Sequence, residues 1–475
     1  MKMTINKHWS YLAGLLFLPF ATKAQTPDTA AVTKHAFSLQ QTIDYAKKHN
    51  LDVKNALLDV QLQFQQNREY TSNALPHINM SVETTYNPSV ATQVIPNFIS
   101  PATYQVLIDE GVKNGNGQPI TMPNDFGFIA AQFGTKFSTT AGVNLQQILF
   151  DGQVFVGLEA RKTLMESKRK TAEVTEEMIK TNIYKVYYQL VVSKTQVELL
   201  DANIALLEKL LHDTKLIYQN GFAEKLDVDK VSVQLANLQT EKNKVMNTIS
   251  NGYYGLKLLI GMPVTDELVL TDTLNDADIK EGVLENSDYK YEDRKDFQMA
   301  QIGLQLNNYN IRRYRLSKIP SFTLNAYYAK NAQRKQWNFV HRGDWYTIAS
   351  VSLTMNVPIF NGNVTNTKIR EAQLNGLKIQ NQIDALKNSI DNQVMTAKNN
   401  FRSAIATMDY QKKNMELAKE VYRQTKKKYE VGTGSQMEIN TAQTDLKTAQ
   451  SNYISSLYDA IIAKVDYLHA VGKLQ

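Results

Sequence analysis

No proline interrupts the chain between Phe360 and the C-terminus, and this absence constrains the fold more than any other feature. From Phe360-Asn361-Gly362 to Val431-Gly432-Thr433 runs a stretch of roughly seventy residues. Its apolar positions include Ile383, Leu386, Ile390, Val394, Ala397, Phe401, Ile405 and Met408. Their steps of 3, 4, 4, 3, 4, 4 and 3 form an eleven-residue rhythm. At about 3.67 residues per turn, such a stripe runs almost straight along a helix and does not wind as a heptad seam does. A helix this long would measure on the order of 100 Å. It needs partners along its whole length.

The chain supplies the architecture twice. Leu75-Pro76 opens an alternation of Ile78, Met80, Val82 and Tyr86 against Asn79, Ser81, Glu83 and Thr85, which predicts a strand. A second alternation, Phe137, Thr139, Ala141, Val143 and Leu145 against polar neighbours, ends at Phe150-Asp151-Gly152. Helical spacing then runs through Ile179, Ile183, Leu190, Leu200, Ile204 and Leu207 to a break at Asn220-Gly221, and a shorter helix returns toward Gly261-Met262-Pro263. Ile319-Pro320 restarts the sequence of events, with Phe322, Leu324, Ala326 and Tyr328, then Val351, Leu353, Met355 and Val357. Phe360-Asn361-Gly362 matches Phe150-Asp151-Gly152, and Tyr429-Glu-Val-Gly432 matches Tyr218-Gln-Asn-Gly221. The distance from Phe to Gly is 71 residues in one copy (150 to 221) and 72 in the other (360 to 432). That agreement makes the repeat the strongest signal in the chain.

The boundaries follow from the repeat. Residues 1–24 read as a secretory leader, with Lys2 and Lys7 before the apolar Leu12 to Phe20 and a small-residue exit at Thr22-Lys23-Ala24. Residues 25–36 read as a linker, 37–262 as the first copy, 263–296 as an acidic, surface-exposed connecting segment, and 297–475 as the second copy. Phe37 to Asn73 reads as helix broken near His49-Asn50, and Asn87 to about Gly134, rich in Pro, Gly and Asn, as a long loop. The formal charge of +7 includes three leader lysines. What remains is too weak a field for a nucleic-acid partner. With no cysteine, disulfides and thiolate chemistry are excluded. No later run approaches the ~20 apolar residues of a membrane helix. Contact with a membrane would therefore have to come through β-structure.

The four strands set apolar faces against small, uncharged polar ones, a pattern that suits lipid outside and water inside. Four strands cannot close a barrel, because the smallest membrane barrels need about eight. An open edge in lipid costs several kcal/mol per unsatisfied group. The chain is therefore expected to oligomerise. A dimer gives a filled eight-stranded barrel, and a trimer a twelve-stranded one with room for a bore. The broad helix stripes favour the trimer.

These residues carry a family likeness. The duplicated strand, strand, long helix, Gly turn and return helix, with Tyr429-Glu-Val-Gly432-Thr433 leading into Met437-Glu438-Ile439-Asn440, resembles the TolC family of outer-membrane efflux proteins. The resemblance implies an α+β membrane protein. It would be a homotrimer with a twelve-stranded transmembrane β-barrel, four strands per chain, above a periplasmic α-helical tunnel, with the 265–296 segment in an equatorial belt. It implies the exit duct of a tripartite efflux pump or type I secretion system in a Gram-negative outer membrane. The partners would be a periplasmic membrane-fusion adaptor and an inner-membrane transporter. Residue by residue, Gly221, Leu226, Val431, Gly432, Thr433 and Met437 match adaptor-contacting tips. Asp227, Tyr429 and Glu438 match the gate and constriction of the tunnel mouth. The gate's usual arginine falls at Gly434, and a second ring of carboxylates at Thr441. Three Glu438 carboxylates near one axis would focus negative potential and favour cations.

Other chemistry finds little purchase. No pair of histidines has metal-ligand spacing, and Gly432-Thr-Gly434 lacks the context of a phosphate loop, so neither metal nor cofactor is expected. Asp227 and Asp229 diverge on a helix and make no catalytic pair, so the chain is not expected to be an enzyme. The Lys426-Lys427-Lys428 run reads as a solvated face. The alternative to a channel is an exported periplasmic coiled-coil adaptor or structural protein without pore activity.

Overall fold

The computed structural model describes residues 33–273, 279–280, 289–339 and 343–474. The leader, most of the linker, and Asp276 and Asp278 of the connecting segment lie outside them. In chain order the elements are β1 (Lys34–Phe37), α1 (Leu39–His49), α2 (Leu51–Ser72), β2 (His77–Tyr86), β3 (Thr92–Pro96), α3 (Ile99–Asp109), β4 (Phe128–Gln132), β5 (Phe137–Phe150), α4 (Gly152–Gln219), α5 (Lys225–Ile260) and β6 (Glu267–Leu270). They continue with α6 (Lys295–Leu316), β7 (Ser321–Arg334), β8 (Tyr346–Asn356), α7 (Val364–Glu430) and α8 (Gln436–Ala470). The long helices hold 68 and 67 residues, and their return helices 36 and 35.

The chain divides into two compact units. A sheet unit comprises Leu51–Thr181, the described residues from 279 to Tyr410, and those from Asp459 onward. In it the apolar stripe of α7 is where the eleven-residue rhythm puts it. Ile383, Ile390, Val394, Ala397, Phe401 and Met408 are buried, and Leu386 and Ile405 half-buried. β2, β5, β7 and β8 form one antiparallel sheet in that order. Arg294, almost fully buried, ties the start of α6 to Ala470 O (3.0 Å) and grips Asp296 with two bonds of 3.0 and 2.6 Å.

The other, the tip unit, holds the described residues up to Asn50, those from Asn182 to 273, and Gln411–Tyr458. The far halves of α4 and α7 pack there with α5 and α8 around Leu200, Ile204, Leu207, Leu210, Val231, Leu238, Tyr422, Ile439, Ala442 and Leu446. Polar pairs bind the same helices at the rim: Lys242–Asp201 at 2.6 Å, Lys447 with Glu241, and Asn203 Nδ2 donating to Gln450 Oε1 at 2.8 Å.

Four readings of the sequence need correction. β1 places Lys34–Ala36 in a parallel pair with β6 and not in a linker. β6 in turn buries Leu268 and Leu270, so part of 265–296 is structural and not surface-exposed. The 87–134 stretch contains α3 and the antiparallel pair β3–β4. β7 continues to Arg334, which puts Lys330 on a face read as free of large charged residues; its Nζ donates to Thr347 Oγ1 at 2.6 Å. Four-residue strands and a helix among prolines carry too little local periodicity to announce themselves. Pairing across the chain forms them.

Candidate functional site: the open sheet and the helical tips

The sheet registers its side chains into continuous rows. Met80, Val143, Tyr328 and Ala349 stand opposite one another across the four strands, as do Ile78, Leu145, Ala326 and Val351. The alternate rows read Asn79, Asn144, Tyr327 and Ser350, and His77, Gln146, Asn325 and Ser352. A period of two makes this separation automatic once the register is fixed. The apolar rows are bare: Met80 is 72% exposed and Val351 76%. The polar side is knitted internally, with Asn331 Nδ2 donating to Thr140 Oγ1 at 2.7 Å.

Aromatic rings close both ends of the sheet. At one end Tyr86 stacks on Phe137 (4.8 Å), whose other neighbour is Trp337 (6.0 Å). At the end nearer the long helices Phe150 meets Phe155 (5.6 Å) and Phe322 (6.4 Å). From Phe322 to Arg334 the strand extends on the order of 40 Å at about 3.3 Å per residue. β2 and β8 are the edges, each pairing on one side only among the described residues.

In the tip unit, two turns join the long helices to their returns. In the first, the Gly221 N–H donates to Tyr218 O (2.9 Å) and the Phe222 N–H to Ile217 O (3.0 Å). In the second, Gly432 donates to Tyr429 O (3.0 Å) and Thr433 to Lys428 O (2.9 Å). Both are Schellman ends, and both glycines hold the left-handed backbone that motif requires, at φ 82° and 76°. The helix that follows is capped by a reciprocal box in each case. The Glu224 N–H donates to Asp227 Oδ2 (3.4 Å), and the Ser435 N–H to Glu438 Oε2 (3.3 Å) with the Glu438 N–H returned to Ser435 Oγ (3.2 Å). Asp227 and Glu438 are thus helix-starting residues before they are anything else.

The remaining sequence-predicted positions divide by exposure. Met437 is 79% exposed, Val431 73% and Leu226 55%, three apolar side chains presented at the turns. Tyr429 is half-buried against the four-helix cluster. It lines a cavity of ≈ 230 Å³ with Ile217, Tyr422 and Ile439. Asp227 pairs with Lys230 (3.9 Å) and makes no bond to Tyr429 among the described residues. Lys426 leans on Glu430 (3.9 Å). Higher on α7, the Arg423 guanidinium pulls the Glu420 carboxyl down to about 2. Burial, with Glu430 nearby, pushes the Tyr422 phenol up, so it stays neutral and packs.

One residue escaped the sequence reading. Phe222, directly after Gly221, is 86% exposed. A large apolar residue at that position of a Schellman end usually folds back on the helix. The signal was available, because the matching position in the other copy is the small Thr433.

The comparisons agree with this geometry. Residues 291–473 match the family model described as outer membrane efflux protein. Outer membrane protein TolC of Vibrio cholerae serotype O1 is 21% identical over 342 residues, covering 70% of this chain and 77% of its own length. Outer membrane protein TolC of Salmonella enteritidis is 19% identical over 482 residues, covering 99% and 87%. The solved structure of CusC superposes with a TM-score of 0.72 at 15% identity, over 91% of this chain and 92% of that one. At such identity the superposition speaks for the fold: a helical barrel with a β-domain.

Proposed function

We propose, from its similarity to the outer membrane efflux proteins, that this chain is an outer-membrane exit duct, passing small molecules or proteins outward from a pump that spans the periplasm. The family is one of efflux channels, not enzymes. The observation that carries the reading is the four-stranded sheet, whose apolar rows are exposed and whose two edges are open. Such a sheet is tolerable in lipid only if further copies pair with both edges. Three copies give twelve strands, a continuous apolar band outside and a polar, watery interior. The aromatic clusters at each end support a membrane-spanning band, since tilted strands of this length span about the 25 Å that such barrels present to lipid. The near-equal helix pairs, 68 with 36 and 67 with 35 residues, support the internal repeat, with 37–262 and 297–475 as its copies and 263–296 as the connecting belt.

In this reading the exposed tips are where a periplasmic adaptor docks, using Gly221, Leu226, Val431, Gly432, Thr433 and Met437, with Phe222 as a further anchor. An inner-membrane transporter completes the assembly. Asp227, Tyr429 and Glu438 guard the mouth, and three-fold symmetry sets the Glu438 carboxylates as a ring that favours cations. The test is to extract the mature protein from outer membranes in detergent, weigh the particle by light scattering and record its planar-bilayer conductance. Three chains per particle and a cation-preferring conductance, weakened in preference by Glu438→Ala, are expected. A monomer stable in detergent-free solution overturns the duct. An unchanged preference in Glu438→Ala overturns the ring.

A further inference from the structure

In the sheet unit, α2 and α4 leave between them a groove of ≈ 850 Å³, a size that suits a small-molecule ligand. Arg68, Arg161, Lys162, Arg169 and Lys170 line it against two acids, Glu166 and Glu173. Glu173 is already engaged, bonded by Lys170 (2.8 Å) and by Lys295 (3.1 Å). Among the described residues, Lys162 and Arg169 have no acid within ion-pair distance, and Arg68 makes only a 3.5 Å contact with Gln65 Oε1. The groove therefore carries positive charge that the chain does not neutralise. Phe64, Leu158 and Met165 give it apolar patches beside the cations.

Its place in the fold narrows the ligand. α2 ends at Ser72, just before β2, and α4 begins at Gly152, directly after β5, so the groove's upper end lies next to the sheet. Side chains on a helix tilt toward its N-terminus, which for α4 means toward the sheet. Arg161 does this: its Nε donates to Leu158 O at 2.8 Å and its Nη1 to Thr71 Oγ1. Arg161 sits about 14 Å along α4 from Gly152. The headgroup layer reaches about 5–7 Å beyond the hydrocarbon, and the arginine's own length closes much of the remainder. The same α4 face continues to Glu177 and Lys180, which meet His469 (3.9 Å) and Leu474 O (3.4 Å).

We propose that this groove binds the phosphate headgroup of an anionic phospholipid from the adjacent leaflet. Arg68, Arg161 and Lys162 hold the phosphate, and Phe64, Leu158 and Met165 meet the glycerol and first methylenes. The inference rests on reading the sheet as embedded in the membrane. The test is native mass spectrometry of the full, detergent-purified assembly titrated with dioleoylphosphatidylglycerol or dioleoylphosphatidylcholine, with inorganic phosphate as competitor. The substitutions are Arg68→Gln with Lys162→Gln; Arg161 is left in place because it also ties α2 to α4 through Thr71. Preferential retention of the anionic lipid, falling about tenfold (1.4 kcal/mol) in the double variant, is expected. Equal retention of both lipids, or a double variant that retains as wild type does, overturns the site. Displacement by millimolar phosphate assigns it to a free anion and equally overturns the proposal. If the assembly still conducts in bilayers, only the lipid site has failed; a chain that does not sediment with membranes sinks the reading of the sheet instead.

Discussion

The sheet and the tips invert each other's burial. In the tip unit Val231, Ile439 and Leu446 are shut inside a four-helix cluster and the charged residues face out. In the sheet, both faces of β2 and β8 are exposed, so Ile78, Met80, Val351 and Leu353 stand as bare as the polar residues that alternate with them. One chain completes the first arrangement by itself. The second leaves its apolar rows and both sheet edges uncovered among the described residues. The difference separates a part that buries its own apolar side chains from one that the proposed duct would complete with lipid and further strands.

Substitutions that exchange the two environments test this most severely. Ile439→Ala, at a side chain 1% exposed, should cost about 2–5 kcal/mol of tip stability, read as a lower urea midpoint. Val351→Arg should cost about 2–4 kcal/mol in lipid and deplete the assembled form in outer membranes. If the strand is water-exposed, the same change will be nearly silent, and the contrast between the regions breaks. Ser435→Ala removes one half of a capping box and should cost about 1 kcal/mol, again by denaturant. Phe222→Ser should leave stability within about 0.5 kcal/mol while reducing site-specific cross-linking to a periplasmic adaptor. Unchanged cross-linking would remove Phe222 from the docking surface.

Acid sharpens the comparison from the side of charge. Burial pushes the Asp296 carboxyl up, but the Arg294 fork and the Phe297 N–H outweigh it and hold the carboxyl below 3.8. A carboxylate lowered in the folded state stabilises above its unfolded value, and that contribution is lost as pH falls through the folded one. The Arg294–Asp296 junction should therefore weaken below about pH 4. Asp296→Asn should flatten that loss in a pH series of thermal melts.

The legible parts of the fold were those with long local periodicity. The stripe from Ile383 to Met408 and the strand alternations are legible because residues three or four apart on a helix, and two apart on a strand, share one environment over a long stretch. β1 and β6 are not, since each is four residues long and finds its partner more than two hundred residues away. Lys330 was missed because the strand outruns its apolar stretch. At the tips, the glycine turns are legible in the sequence, whereas the exposure of Val431 and Met437 is read from the structure. The box that occupies Glu438 was written in Ser435-Gln-Met-Glu438 but was passed over for a ring across three copies.

Gly434 leaves no room for a side chain of its own. Its N–H donates to Lys428 O at 3.0 Å, and a Cβ there would lie 3.0 Å from the Tyr429 nitrogen. Any side chain placed at position 434 would therefore require the turn to give by a few tenths of an ångström. The backbone itself fills the space beneath the turn, so enlarging this one residue means rebuilding the loop that carries Val431 and Thr433.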